Sequence, residues 1–436
     1  MIKRIRNLGT KAWQTDLVKV FSFTAFSTSV KMITALVSTK IVALIIGPVG
    51  VALLGQLSNF VTIVLSIASA GLNNGITKYI AEYRSSSSKV RMLLSTAFRL
   101  VLYCSVVVSI VMIVFNKTLS RIVLLSANYG YIFVIFGLTV IFYAINNLLM
   151  ATVNGFKQFK LYTYINIAGS IFGLLFSVAF VLTMSLSGAL IAIVTYQSVV
   201  LIVSVWLLRK QLWFKIKNFL LPIDRSTLRL YMKYSIGTLV FIIATPLIQL
   251  LLRGYVIADL SQAQAGVWEG MNRISAMYMM VVNMSLAVYY IPRLSELHTA
   301  QEIRCEIIKA YRFLLPVLLV GFGGVYLLRR FIIWLLYTPE FYGMEALFPW
   351  QLLLDLINAC SFVISYLLIA KAMMFEYTLT TLIFSGIYLA MSYLLLHLQQ
   401  DIVGIIQGNI ISQSLYFVTL IFIFRKILFK RNYTTA

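Results

Sequence analysis

Five basic residues lie inside apolar runs long enough to cross a membrane: Lys31, Lys40, Arg99, Arg253 and Arg273. Charge at the bilayer centre is costly, so such residues face protein or water and find a partner there. Lys31 sits in the middle of its run, and Ser27, Thr34 and Ser38 share its helical face at 4-3-4 spacing. That stripe suits an anion contact in a hydrated cavity, or a lysine satisfied by the carbonyls of neighbouring helices. Lys40 is nine residues further on, half a turn round a straight helix. It either snorkels to the outer surface or joins Lys31 if the helix bends. Arg273 follows Glu269 at the i,i+4 distance of a helical ion pair, which is either a structural bridge or part of a site. Arg253 lies near the outer end of its run, with Gln249 on the same side. Asp355, whose face Asn358 continues, is a candidate counter-charge for one of these cations. Arg99, at an inner end, reads as an anchor.

Neutral polar residues mark further faces: Gln56, Asn59 and Ser66 on one run, Tyr143, Asn147 and Asn154 on another. Amides and tyrosine hydroxyls hydrogen-bond sugar hydroxyls, and they also glue helices together. Acids are sparse. Before residue 209 only Asp16 and Glu82 occur, both at inner ends of runs.

The elements that carry these residues follow from composition. The chain has 436 residues, 61% hydrophobic and 11% charged, where soluble domains carry about 25% charged residues. Apolar stretches of helical length recur throughout, and the alternating segments of a transmembrane barrel are absent. Twelve spans are expected, at 17–46, 50–72, 92–115, 129–153, 161–184, 187–208, 234–258, 266–291, 313–337, 346–371, 377–397 and 402–424. The basic stretch 209–233, RKQLWFKIKNFLLPIDRSTLRLYMK, divides them six and six. This predicts an all-α polytopic membrane protein: a cytoplasmic amphipathic arm over 1–16, a six-helix lobe over 17–208, a cytoplasmic linker over 209–233, a second lobe over 234–424 and a basic tail over 425–436. With both termini cytoplasmic, inner segments hold 27 of the 36 Lys/Arg and outer segments four. Such an asymmetry sets orientation. The net charge of +23 is therefore mostly a topology signal, and the basic loops suit anionic lipid rather than nucleic acid.

A weak internal repeat supports the two halves. KIVALIIGPVGVALLGQLSNF and RGYVIADLSQAQAGVWEGMNRI each run from a basic residue through an apolar stretch and a turn to Gly-Val and a new helix. Such repeats are common in transporters, with the site at the repeat interface. Cys104, Cys305 and Cys360 are scattered, which points to neither a disulfide framework nor a metal site. The two histidines, His298 and His397, fall in or near loops. No nucleotide-binding or hydrolase motif appears, so no cofactor is expected.

The segments VSTKIVALIIGPVGVALLGQLSNF, GLNNGITKYIAEYR, VWEGMNRISAMYMM, VYYIPRLSEL and YTPEFYGMEALFPWQLLLDLINACSFVISYLLIAKAM span residues 36–374. Together they resemble the flippases that export O-antigen repeat units and lipid III of enterobacterial common antigen. That family belongs to the multidrug/oligosaccharidyl-lipid/polysaccharide exporter superfamily. The resemblance implies two pseudo-symmetric six-helix lobes, alternating access, and an inner-membrane location. It implies an undecaprenyl-pyrophosphate-linked oligosaccharide as cargo, with a polysaccharide polymerase and chain-length regulators as partners. By resemblance Lys31, Lys40, Arg253, Glu269, Arg273 and Asp355 fall in the family's charged cavity pattern, with the four cations expected at the pyrophosphate and the two acids balancing charge. The amide and tyrosine faces make Gln56, Asn59, Tyr143 and Asn147 the candidates for the glycan. Ala276 stands where related sequences often carry an acid, which puts proton coupling there in doubt. Two rivals are a cation-coupled drug exporter, disfavoured by the lack of a buried acid in the first half, and a glycan polymerase or ligase, disfavoured by the short outer loops.

Overall fold

A computed structural model describes residues 2–286, 290–297, 299–371 and 373–429, with side chains from Phe26 onward except at 233, 234, 236, 285, 291 and 292. The expected amphipathic arm, His298 and the end of the basic tail lie outside the described side chains. The helices are α1 (Ile2–Ala68), α2 (Asn73–Tyr83), α3 (Ser87–Val114), α4 (Asn116–Val123), α5 (Gly130–Gly155), α6 (Phe159–Leu208), α7 (Arg225–Asp259), α8 (Gln262–Ser285), α9 (Ile291–Glu296), α10 (Ala300–Leu327), α11 (Arg329–Leu336), α12 (Phe348–Ala370), α13 (Met374–Gln399), α14 (Val403–Ile423) and α15 (Arg425–Phe429).

Among the described residues, nine helices are long and apolar enough to cross a membrane. Two of them, Phe26–Ala68 and Phe159–Leu208, run to 43 and 50 residues. At 1.5 Å per residue each is about twice the hydrocarbon thickness. Both are broken midway. Gly47 has φ 61° and ψ −169°, in the region that glycine alone enters without penalty, and Pro48 then opens the next helical stretch with its φ already set. Ser185, at φ 49°, breaks α6.

The ninth expected span, 313–337, is displaced. Its helix α10 begins at Ala300, where Thr299 and Glu302 form a reciprocal cap, and ends at Leu327. The polar turns from Glu302 to Arg312 continue the helix beyond its apolar part, which hydropathy alone does not register. The eight residues of α11 follow as a separate amphipathic helix, whose Arg329 and Arg330 both bond to Glu345. The counterpart in the first half is α4, which likewise follows a long helix after one residue.

The chain packs as two compact units, one of 1–45 with 60–243, the other of 46–59 with 244–436. In the first, small and hydroxylated residues let helices approach closely. Ser109 Oγ donates to the Gly137 carbonyl at 2.6 Å, and Thr139 Oγ1 to that of Val194 at 2.8 Å. The segment after α6 is anchored on this unit. Trp213 stacks on Phe156 at 5.3 Å, Phe219 meets Phe98 at 5.6 Å, and Arg99 Nη2 donates to the Leu220 carbonyl at 2.9 Å. Asp224 then caps α7 by accepting from Thr227 N at 2.8 Å. Its hydrogen bonds from the Ser226 hydroxyl and from Thr227 hold its carboxyl below the usual carboxylate range.

In the second unit, Leu286, Tyr290, Ile303, Ile364, Leu367 and Leu420 share one buried cluster that joins α10, α12 and α14. Ser392 Oγ donates to the Ile405 carbonyl at 2.9 Å where α13 meets α14. A Cβ at Gly408 would collide with the Ser392 backbone there. The outward faces stay apolar: Phe313, Val320 and Leu327 of α10 are 73%, 77% and 80% exposed. Apolar surface on that scale marks a face made for lipid.

Candidate functional site

A polar cavity of about 450 Å³ lies within the first unit. Lys31, Thr34 and Ser38 line it from α1, and Asn146 and Asn147 from α5. The first stretch of α6 contributes Tyr162, Asn166, Ser170 and Ser177, and the stretch after Ser185 contributes Tyr196 and Gln197. The lining holds one cation and no carboxylate. Lys31 is exposed on that wall. The stripe read from the sequence therefore does face a cavity from Lys31 to Ser38.

Several of the polar groups are fixed before any ligand arrives. Ser204 Oγ donates to Asn146 Oδ1 at 2.6 Å, Asn146 Nδ2 to Gln197 Oε1 at 3.3 Å, and Gln197 Nε2 to the Tyr196 hydroxyl at 3.0 Å. Ser38 and Ser177 share a hydrogen bond of 3.0 Å between helices. A preorganised wall of this kind presents hydroxyls and amides with little rotamer entropy left to lose. Chemically it can hold one anionic group at Lys31 and a hydroxyl-rich body along the rest.

Of the residues expected at a site, Lys31 and Asn147 line this cavity. Tyr143 is not among the lining residues, but its ring makes an edge contact with that of Tyr196, which is, with centroids 6.5 Å apart. Lys40 is not among the lining residues. The helix stays unbroken until Gly47, so nothing corrects the half-turn that separates Lys40 from Lys31. Asn146, Tyr162, Asn166, Ser170, Ser177, Tyr196 and Gln197 were not singled out from the sequence. A signal was present for four of them: 162, 166, 170 and 177 fall at 4-4-7 spacing, one face of a helix.

The remaining charges assemble in the second unit. Glu269 accepts from both Arg253 Nη2 and Arg273 Nε, the latter at 2.9 Å. Arg253 is completely buried, lies 5.4 Å from the Trp268 ring, and reaches Gln56 Oε1 at 3.4 Å. Gly55 makes room for the carboxylate, because a Cβ there would stand 2.6 Å from Glu269 Cδ. Gln56 and Asn59 thus belong with the second unit rather than with the other first-half polar residues. Among the described residues no cation pairs with Asp355: Ser275 Oγ donates to it at 2.7 Å, Gln351 Nε2 at 3.1 Å, and the Tyr278 hydroxyl also donates. Neutral donors of this kind satisfy a buried carboxylate without a counter-ion.

Cysteines placed at Thr34, Ser38 and Ser170 are expected to react with a membrane-impermeant thiol reagent, and one at Ile33, which is apolar, 60% exposed and not among the lining residues, to react little. Equal labelling of all four would mean that this face does not line a water-filled path.

The backbone resembles solved structures of another transporter group. The inward-facing conformation of a multidrug resistance MATE family transporter of the MOP superfamily superposes with a TM-score of 0.77, covering 92% of this chain and 96% of that one at 13% identity. An outward-facing conformation of a MATE family transporter gives 0.69 over 94% and 96% at 14% identity. In sequence, the chain is 29% identical to the lipid III flippase of Escherichia coli (strain K12) over 364 residues, 84% of this chain and 88% of that protein. The pattern of the polysaccharide biosynthesis protein family matches residues 17–298. That match covers more than half of the residues, and with a helical MATE-like fold the chain belongs to the polysaccharide biosynthesis protein family, as a multi-pass membrane protein.

Proposed function

We propose that this protein moves an undecaprenyl-pyrophosphate-linked oligosaccharide, an O-antigen repeat unit or lipid III, from the cytoplasmic to the periplasmic leaflet of the inner membrane by alternating access. The observation that carries the reading is the first-unit cavity, with a single lysine among amides and hydroxyls and no carboxylate. A phosphate in a site of lowered dielectric is attracted to Lys31 far more strongly than in water. The glycan lies along Asn147, Asn166 and Tyr196, with Tyr143 supporting Tyr196. The prenyl chain remains in lipid. Arg273, whose side chain is 24% exposed, has further donors beyond its Nε and is a second candidate for a phosphate. Arg253 holds Glu269 in place, and Lys40 stands outside the cavity.

Twelve crossings are supported by the breaks at Gly47 and Ser185, which turn two long helices into four, together with α8, whose Glu269 and Arg273 lower its hydropathy. The orientation is supported by the 27-to-4 distribution of Lys/Arg. A reporter fused after Arg84, Asp224 or Arg304 is expected to read cytoplasmic, and one after Asn128 or Glu340 periplasmic. An outside reading at Asp224 would overturn the two sets of six.

The test of the function is deletion of the gene, followed by mass spectrometry of the polyprenyl-linked glycans. One complete repeat unit is expected to accumulate on the cytoplasmic side. Increased drug sensitivity without any such glycan would reassign the protein to drug export.

A further inference from the structure

We propose that the segment between α6 and α7, with the helices beneath it, binds one anionic glycerophospholipid, taking an acyl chain into an apolar pocket and the phosphate against Lys215 and Lys217. The pocket has a volume of about 230 Å³. Phe98 of α3, Leu149 of α5 and Val205 of α6 form its walls, and Phe214, Phe219 and Leu220 form its roof. Every lining residue is Phe, Leu, Ile or Val, and none is shared with the polar cavity. Such a pocket holds water poorly. Left unfilled it forfeits dispersion contacts around its whole wall.

The roof is a pinned structure. Arg99 holds the Leu220 carbonyl at 2.9 Å, and Gln158 Nε2 donates to Gln211 Oε1 at 2.7 Å. Its outer side is mixed in a way that suits a bilayer surface. Leu212 and Ile216 are 85% and 79% exposed, and Arg209, Lys210, Lys215 and Lys217 are exposed among them. No acid occurs between residues 209 and 223. Basic residues interleaved with large apolar ones seat a segment in the headgroup layer and favour anionic lipid. Trp206, 59% exposed with the Arg209 guanidinium 5.2 Å from its ring, places a typical interfacial residue one turn away. An acyl chain below and a phosphate beside the lysines match this order of surfaces.

The test uses the purified full-length protein, incubated with phosphatidylglycerol or phosphatidylethanolamine of identical chains and examined by native mass spectrometry. One phosphatidylglycerol is expected to stay bound through gentle detergent activation, with phosphatidylethanolamine at least 10-fold weaker. The Lys215→Ala, Lys217→Ala pair should weaken phosphatidylglycerol about 30-fold, near 5-fold for each lysine. Val205→Trp, which fills the pocket from its lipid-facing rim, should abolish retention. Should that variant unfold, the surface lysine pair still decides the matter. Equal retention of the two lipids, unchanged retention in the lysine pair, or displacement of phosphatidylglycerol by an equal concentration of undecaprenyl phosphate would each overturn the proposal.

Discussion

Lys31→Ala should abolish export while leaving the protein folded in the membrane, and Lys31→Arg should retain part of it. Among the described residues that line the cavity there is no second cation to take over. Loss of one charge-assisted hydrogen bond to a phosphate costs about 1.5–3 kcal/mol, a weakening of about 10- to 150-fold. The fold has little stake in this side chain, which is exposed on the cavity wall. Arginine keeps the charge and adds donors, but its planar head fills a site shaped for a compact ammonium. The measurements are accumulation of the lipid-linked glycan in cells and, separately, the amount of protein in the membrane. An alanine variant that exports normally, or one that disappears from the membrane, would show that Lys31 serves helix packing.

Glu269→Gln is expected to be the most destabilising single change in the charge cluster. Two arginines lean on this carboxylate, and Arg253 is fully buried. Removing one partner of a buried ion pair costs about 3–5 kcal/mol, against a total stability of about 5–15 kcal/mol. The melting temperature in detergent should fall steeply, and the membrane level of the variant with it. Arg273→Ala should be milder, because the Arg253–Glu269 pair survives. The Glu269→Gln, Arg273→Ala double variant should not recover, since Arg253 stays stranded. Adding Arg253→Met to Glu269→Gln should restore much of the lost stability, as an apolar side chain removes the uncompensated charge. A Glu269→Gln protein that melts like the wild type would refute this structural role of the carboxylate.

What the sequence shows of this molecule divides along a physical line. Periodicity over one helix is local, so the face shared by Lys31, Thr34 and Ser38 is readable, as is the Glu269–Arg273 pair four residues apart. The stripe Tyr162, Asn166, Ser170, Ser177 was equally readable, but it carries no charge to draw attention to it. Pairing between helices is not local. Arg253 meets Glu269 across the turn from α7 to α8, and Ser275 meets Asp355 at a separation of 80 residues. Nothing in either span announces the partner. Hydropathy finds where a helix is apolar, not where it ends, so α10 begins thirteen residues before its expected span. Chain order assigned Gln56 and Asn59 to the first lobe, while the break at Gly47 turns their segment into the second unit.

That last feature bears on how the chain is made. Gln56 precedes Arg253, the residue it bonds to, by 197 positions. At about 5–20 residues per second of synthesis, its segment waits about 10–40 s in the nascent protein for Arg253 to be made. Residues 46–59, IGPVGVALLGQLSN, suit that wait: they are mostly apolar and carry no charge. The ionised groups that complete the cluster come late and close together. Arg253 and Glu269 are 16 residues apart and leave the ribosome within about 1–3 s of each other. Arg253 therefore spends only moments in the nascent protein before its counter-ion is made, although the rest of its unit is still to come.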